Sequence, residues 1–339
     1  MANLVGVRVP TYKRPVLLER ALRSLIQQTH ADWRAVVLDD SPEREGESVC
    51  RAIADDRIDY VPNPTNMGIS ANLDGAFSLH ADDESSFVCV LEDDNYYLSD
   101  HLTDSIAILD RSGCDVLLRD HLIETGGERD GPGDLSAATQ YGGQYSEGPI
   151  DQLRFFAALF YSIGATNAGL FWRAHKGLDF STLAYVDDVV WQERLRTLCL
   201  DRPVYMAMRP TIVWRSNGSN SWRTSPRGVG WYLNSARWAT LERKIYKALH
   251  SHLMCLGADR FIWDPPAGDL SPDRERVFHR VGIAVPRTRS HIKFLDLASL
   301  TFKRFAAQVV GARENTRCDI SFDARGRLAA RAQLIIPLH

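Results

Sequence analysis

The sequence lacks the signatures of several chemistries. Its six cysteines, Cys50, Cys89, Cys114, Cys199, Cys255 and Cys318, include no CxxC pair, so neither a thiol redox couple nor a structural zinc site is expected. No GxGxxG follows the first apolar run and no GxxxxGK[ST] occurs anywhere, so the chain has neither a dinucleotide fingerprint nor a phosphate-binding loop. The ten histidines form no HExxH, and no nucleophile-elbow sequence surrounds a serine or cysteine. His80, His101 and His121 read as surface residues. The longest charge-free stretch, Phe155 to Trp172, contains Tyr161, Ser162, Gly164, Thr166, Asn167 and Gly169, poor material for a membrane span. It reads as a buried helix followed by a buried strand. The opening MANLVGVRVP has no charged or long apolar leader region, so a cytoplasmic protein with reduced thiols is expected.

What is present is an ordinary globular composition, with 45% apolar and 24% charged residues over 339 positions. That excludes wholesale disorder, and the length suggests one large domain or a domain with an appendage. The net charge of −3 predicts no nucleic-acid partner. The charge is unevenly spread. Residues 236–339 hold 18 basic and 10 acidic side chains, a net of +8, and residues 1–235 hold 22 and 33, a net of −11.

Periodicity divides the chain into alternating elements. Leu4 to Val9 is a short apolar, β-branched run. Pro15 to Gln28 puts Leu17, Leu18, Ala21, Leu22, Leu25 and Ile26 on one helical stripe, with Pro15 in the first turn, where its missing N–H costs nothing. Trp33 to Leu38, Ile58 to Val61, Phe87 to Leu91, Asp115 to Arg119, residues 165–172 and Val204 to Val213 read as strands. Residues 47–54, Ile69 to Leu79, 100–111, 151–163 and Val189 to Cys199 read as helices. This alternation implies an α/β fold with a mostly parallel sheet flanked by helices. The uniformly apolar 87–91 run fits a central strand buried on both faces. Glu124 to Gly148 has seven glycines in 25 residues and little periodicity, and reads as a long loop, either a substrate-covering lid or a surface excursion.

Three acidic pairs end strands or open helices: Asp39-Asp40, Glu92-Asp93-Asp94 and Asp187-Asp188. In a parallel sheet the C-terminal strand ends line one edge, where ligands bind. Adjacent carboxylates repel, so each pair is either a cation site or a set of caps and turns. Oxygen ligands without Cys or His favour Mg²⁺ or Mn²⁺, ions that usually bridge substrate phosphates.

The ordered motifs carry a resemblance. Val9-Pro10-Thr11-Tyr12-Lys13-Arg14-Pro15, Leu22-Arg23-Ser24-Leu25 with Gln28-Thr29, and Val36-Val37-Leu38-Asp39-Asp40-Ser41 resemble the start of family 2 glycosyltransferases of the GT-A fold. Asn66-Met67-Gly68-Ile69 with Asn72 is similar to that family's NxG segment, and Val90 to Asn95 to its DXD region. Gly169 to Arg173 is similar to the strand before its acceptor-side motif. Val186-Asp187-Asp188 with Glu193-Arg194-Leu195 resembles its base motif, and Trp214 to Asn220 its YRxHxxN motif. Together these span about residues 4–222.

The resemblance implies a GT-A (Rossmann-like) domain over 1–235, with a nucleotide-sugar half about 1–120 and an acceptor half about 121–235. A basic, mainly helical region follows over 236–339. It implies an inverting transfer from a nucleotide-diphospho-sugar, UDP- or dTDP-linked, to a hydroxyl acceptor such as a glycan, polymer, lipid or natural product. Pro10, Thr11, Tyr12, Arg14, Asp39, Asp40, Gly68, Asn72, Glu92 and Asp93 would bind the donor. Asp94 and Asn217 would hold Mn²⁺ or Mg²⁺, and Asp188, with Asp187 beside it, would be the general base. Two departures stand out: Glu92 replaces the leading Asp of the DXD region, and Asn217 replaces the histidine of YRxH. A non-catalytic nucleotide-sugar binder and a nucleotidyltransferase are the alternatives. The basic 236–339 region is expected to dock on the acidic body, bind an anionic acceptor, touch the inner membrane face peripherally or support a homo-oligomer.

Overall fold

The computed structural model describes residues 3–78, 84–126, 131–142, 144–160, 164–174, 189–200, 202–216 and, but for 244 and 259, 243–263. Two compact units make up the chain: Met1–Asp151 with Ala165–Ser221, and Gln152–Gly164 with Trp222–His339.

The first unit is built on a mixed sheet. Strand β1 (Val5–Thr11) is buried along its whole length. It lies parallel to β2 (Trp33–Asp39) on one side and to β4 (Phe87–Val90) on the other. β3 (Ile58–Pro62) extends the parallel set beyond β2. Past β4 the direction reverses: β9 (Leu170–Arg173) runs antiparallel to both β4 and β6 (Val116–Thr125). β10 (Val204–Arg215) is parallel to β6, and the two-residue β5 (Tyr96–Tyr97) pairs antiparallel with it, giving the order β3-β2-β1-β4-β9-β6-β10-β5. β4 is buried at all four residues, as expected of a strand covered on both faces.

The helices follow the apolar periodicity. α1 (Pro15–Ile26) buries Leu17, Leu18, Ala21, Leu22 and Leu25 and carries Pro15 at its start. Each fully buried leucine contributes about 1.5–3 kcal/mol relative to an exposed one. α1 packs against α2 (Glu45–Ile53) and β5, and α3 (Ile69–Ser78) against β1 and α6 (Val189–Cys199). α4 (His101–Ser112) packs on β6 and β10 and ends at Gly113 with φ +70°. Gln28 fastens the end of α1: its amide donates to the carbonyls of Ser24 and Leu98 at 3.0 and 2.8 Å and accepts from Leu102 N–H at 3.1 Å.

Two expectations are corrected. The glycine-rich 124–148 stretch is not one long loop. β6 runs on to Thr125, β7 (Asp134–Thr139) pairs antiparallel with it, and β8 (Gly148–Ile150) pairs with β10. The pairing is set by free edges of neighbouring strands, which local periodicity does not reveal. His101 and His121 are buried, not on the surface. His101 stacks on Tyr97, with ring centroids 3.9 Å apart, and its Nδ1 lies 2.8 Å from Thr211 Oγ1. His121 Nε2 lies 2.7 Å from Thr166 Oγ1. Each imidazole is admitted to the interior because a hydroxyl satisfies one of its nitrogens. Burial holds both rings neutral, pushing His121 down to about 4. His80 lies outside the described residues.

The second unit contributes α5 (Gln152–Ala158), α7 (residues 245–255) and α8 (Arg260–Trp263) among the described residues. α5 packs against α8, Tyr246 meets Phe160 edge-on at 5.0 Å, and its hydroxyl donates to Leu159 O at 2.7 Å. No helix of the described residues is long and apolar enough to cross a membrane.

Candidate functional site

The C-terminal ends of β2, β1 and β4 stand side by side, so Asp39-Asp40, Thr11-Tyr12 and Glu92-Asp93-Asp94 share one edge of the sheet. Thr11 pairs in register with Asp39, and Asp40 N–H donates to Thr11 O at 3.0 Å.

Asp39 is an organiser of its own loop. Its Oδ1 accepts from Ser41 N–H at 2.9 Å, and its Oδ2 accepts from Gly46 N–H and the Tyr60 hydroxyl, both at 3.0 Å. Gly46 is required by this closeness: a Cβ there would stand 2.7 Å from Asp39 Oδ2. Asp40 holds the next loop. It accepts from Asn63 Nδ2 at 2.9 Å, Met67 N–H at 2.7 Å and Gly68 N–H at 2.9 Å. Gly68 sits at φ +85°, a conformation that favours glycine. Asn72, at the start of α3, donates to the carbonyls of Thr11 and Leu38 at 3.3 and 3.2 Å and accepts from Asn63 at 3.0 Å. Each carboxylate takes three donors and by lone-pair count retains one acceptor position. Gly68 and Asn72 thus shape the loop through their backbone and amide. Pro10 is buried within β1.

The third loop carries the acidic cluster. Asp93 is buried, and its Oδ2 accepts from Thr11 Oγ1 at 2.8 Å and from Tyr12 N–H at 3.3 Å. Arg14 Nη1 reaches both Asp93 Oδ1 at 3.2 Å and Asp94 Oδ2 at 2.8 Å. Lys13, with φ +53°, turns the chain between Tyr12 and Arg14, and its N–H donates to Ser41 Oγ at 2.8 Å. Tyr12 is 44% exposed, with Lys13 Nζ 5.6 Å from the centre of its ring. Asn95 donates to Glu92 Oε2 at 3.1 Å and accepts from Arg215 N–H at 3.1 Å.

This edge holds more negative charge than it can solvate. Glu92, only partly covered as a residue, has its carboxyl pushed up to about 8, first by desolvation and then by Asp94, Glu193 and Asp93, with Arg196 opposing. Asp93 is pushed up to about 6 by burial, with Arg14 opposing and Asp94 adding to the rise. Such a cluster favours a cation. One cationic nitrogen already lies between Asp93 and Asp94 in the structure, that of Arg14. The donor set is hard oxygen, suited to a Mg²⁺ or Mn²⁺ ion held by one or two carboxylates with substrate phosphates and water completing its shell. No group of three or more His, Cys, Asp or Glu able to hold a metal is found among the described residues. A two-carboxylate anchor is therefore what the described loop offers. Asn217, Asp187 and Asp188 lie outside the described residues.

Several residues besides the predicted site residues hold this edge. Arg20 donates to Glu124 at 2.9 and 3.0 Å and to the Asp94 carbonyl at 2.8 Å, tying the acidic loop to the end of β6. Glu124 also accepts from Gly133 N–H at 3.2 Å, and Arg215 donates to Gly131 O at 2.7 Å. α6, which starts one residue after Asp188, is fixed by Gln192 donating to Ser70 O at 2.8 Å. Arg196 adds bonds to Asn167 Oδ1 at 2.6 Å and Asp74 Oδ1 at 3.2 Å. Arg196 also lies 3.9 Å from the centre of the Phe77 ring. Arg20 gives no sequence signal, since it lies off the apolar stripe of α1 and its partners are distant in sequence.

Fold and site together define an α/β scaffold with an acidic strand edge, and comparison shows which proteins it resembles. Residues 7–150 match the family model "Glycosyl transferase family 2". A protein of Escherichia coli (strain K12) named as a colanic acid biosynthesis glycosyl transferase, WcaA, is 26% identical over 102 residues, which is 30% of this chain and 36% of that protein. The GalNAc(5)-diNAcBac-PP-undecaprenol beta-1,3-glucosyltransferase of Campylobacter jejuni is 35% identical over 104 residues, 29% of this chain and 32% of that enzyme. The chain thus spans about a third of the length of the curated relatives it matches. Among solved structures, S. aureus TarS 1–349 in complex with UDP superposes with a TM-score of 0.50 at 17% identity, covering 90% of this chain and 89% of that one. Its complex with UDP-GlcNAc gives 0.50 at 16% identity over 90% and 87%. At such identities the likeness is one of fold, and the fold is GT-A.

Proposed function

We propose that this protein transfers a sugar from a nucleotide-diphospho-sugar, UDP- or dTDP-linked, to an acceptor hydroxyl with inversion at the anomeric carbon. The observation that carries the reading is the convergence of Thr11, Tyr12, Asp39, Asp40, Asp93 and Asp94 on one strand edge inside the family segment. The UDP and UDP-GlcNAc complexes of TarS, and the glycosyltransferase names of the two relatives, support it.

In this reading the Tyr12 ring stacks on the nucleobase, and the remaining acceptor positions of Asp39 and Asp40 take its N–H and ribose hydroxyls. Glu92 and Asp93 border the ribose, and Asp94, with Asn217, holds Mn²⁺ or Mg²⁺. A bound divalent ion supplies Lewis-acid stabilisation of the departing diphosphate. Asp188 accepts the proton of the acceptor hydroxyl as its oxygen bonds to the anomeric carbon and the bond from that carbon to the diphosphate oxygen breaks. Asp187 is its tuning neighbour. One displacement with one base inverts the configuration. The basic 236–339 region serves the acceptor side, and peripheral contact with an anionic membrane is a further role for it.

The test is Asp188→Asn. Transfer is expected to fall about 10²–10⁴-fold, the usual contribution of a general base, while UDP-sugar affinity stays unchanged. The product anomer, read by NMR coupling constants, is expected to be inverted relative to the donor. Retained configuration, or full activity in Asp188→Asn, would sink the mechanism.

A further inference from the structure

We infer that Arg14 is a resident counter-cation of the acidic loop, holding Asp93 and Asp94 in place of a divalent ion and yielding them when metal and donor diphosphate arrive together. The inference rests on the proposed metal-dependent function and deepens it. Arg14 Nη1 bonds both carboxylates, at 3.2 and 2.8 Å, from a side chain that is 34% exposed. It is partly exposed, so the guanidinium has an open side towards solvent. Its backbone is fixed independently. Arg14 precedes Pro15, which restricts it, and its carbonyl accepts Leu18 N–H at 2.9 Å, so the side chain can leave without moving α1.

The consequence is thermodynamic. A metal ion alone must compete with the guanidinium for the same two carboxylates. When a diphosphate is also present, the displaced Arg14 gains a new anionic partner, because arginine pairs with phosphate as well as with carboxylate. Metal and nucleotide then bind cooperatively, and Arg14 carries part of the coupling.

The experiment measures Mn²⁺ binding directly, by electron paramagnetic resonance and by calorimetry, on the full chain with and without UDP. Wild type is compared with Arg14→Gln and Arg14→Lys. Without UDP, Arg14→Gln is expected to bind Mn²⁺ about tenfold more tightly than wild type. UDP should tighten Mn²⁺ binding less in Arg14→Gln than in wild type, and Arg14→Lys, which keeps a charge but loses the fork, should fall between. A circular-dichroism melt checks that the variants fold. Equal or weaker Mn²⁺ binding by folded Arg14→Gln without UDP overturns the inference and leaves the metal-dependent reading standing, provided wild type binds Mn²⁺ with UDP. No Mn²⁺ binding by any of the proteins, with or without UDP, overturns both.

Discussion

At the scale of single residues, the loops of this edge are set by two carboxylates that act on backbone N–H groups. Asp39 caps the approach to α2 through Gly46, and the contact leaves no space for a methyl group. An alanine in a helix normally gains up to about 1 kcal/mol over glycine. At Gly46 the added Cβ meets a carboxylate already fixed by three donors, so the clash decides the sign. Gly46→Ala is expected to lower stability by about 1–3 kcal/mol. Gly75→Ala, in α3 with open space around its Cβ position, should gain about 0.5–1 kcal/mol. Urea denaturation of both variants checks the pair, and a stable Gly46→Ala would show that Asp39 can move. The candidate residues themselves were legible in sequence because they cluster in short acidic and Pro-Thr-Tyr motifs. Their partners Asn63, Tyr60 and Arg20 were not, since each lies 21 or more positions away in sequence.

At the scale of elements, the alternation of strand and helix through Phe77 was readable because each apolar run has the period of its element. β5, β7 and β8 were missed: their pairing depends on which strand edges are free, not on their own pattern. The buried histidines were missed for a related reason, because burial of an imidazole depends on a hydroxyl brought from a distant segment. His121 joins β6 to Thr166, 45 residues on. Its pKa lies near 4 in the folded chain, below the ordinary value of 6.5. The unfolded state then binds more protons between those values, so stability contributed by the neutral ring is full above about pH 6.5 and is lost as pH falls towards 4. The loss attributable to this residue is of order 3 kcal/mol. His121→Gln, whose amide can still meet Thr166, is expected to flatten the decline in melting temperature between pH 6.5 and 4. An unchanged acid profile would show that other groups dominate it.

At the scale of the whole molecule, the acidic body and basic remainder divide the charge, and the carboxylate edge explains where part of the negative excess is concentrated. Adding UDP-sugars with Mn²⁺ is expected to raise the melting temperature, and EDTA is expected to remove that gain. A ligand at 100 times its dissociation constant stabilises by about 2.7 kcal/mol, several degrees for a domain of this size. An equal shift with EDTA would remove the metal from the reading. A full-chain sedimentation assay with anionic vesicles at low and high salt tests the membrane role of residues 236–339, whose charge makes any such contact salt-sensitive. By itself the sequence determined the order of the main strands and helices, the acidic strand ends and the short motifs, because those depend on neighbours within a few residues. Only the tertiary structure decided that Arg14 sits between Asp93 and Asp94, that Arg20 joins their loop to Glu124, and that Asp39 and Asp40 spend most of their acceptor capacity on holding the loops of this edge. Those bonds form between segments from 7 to more than 100 residues apart, and hydrogen-bond geometry between distant segments is fixed by packing rather than by local pattern.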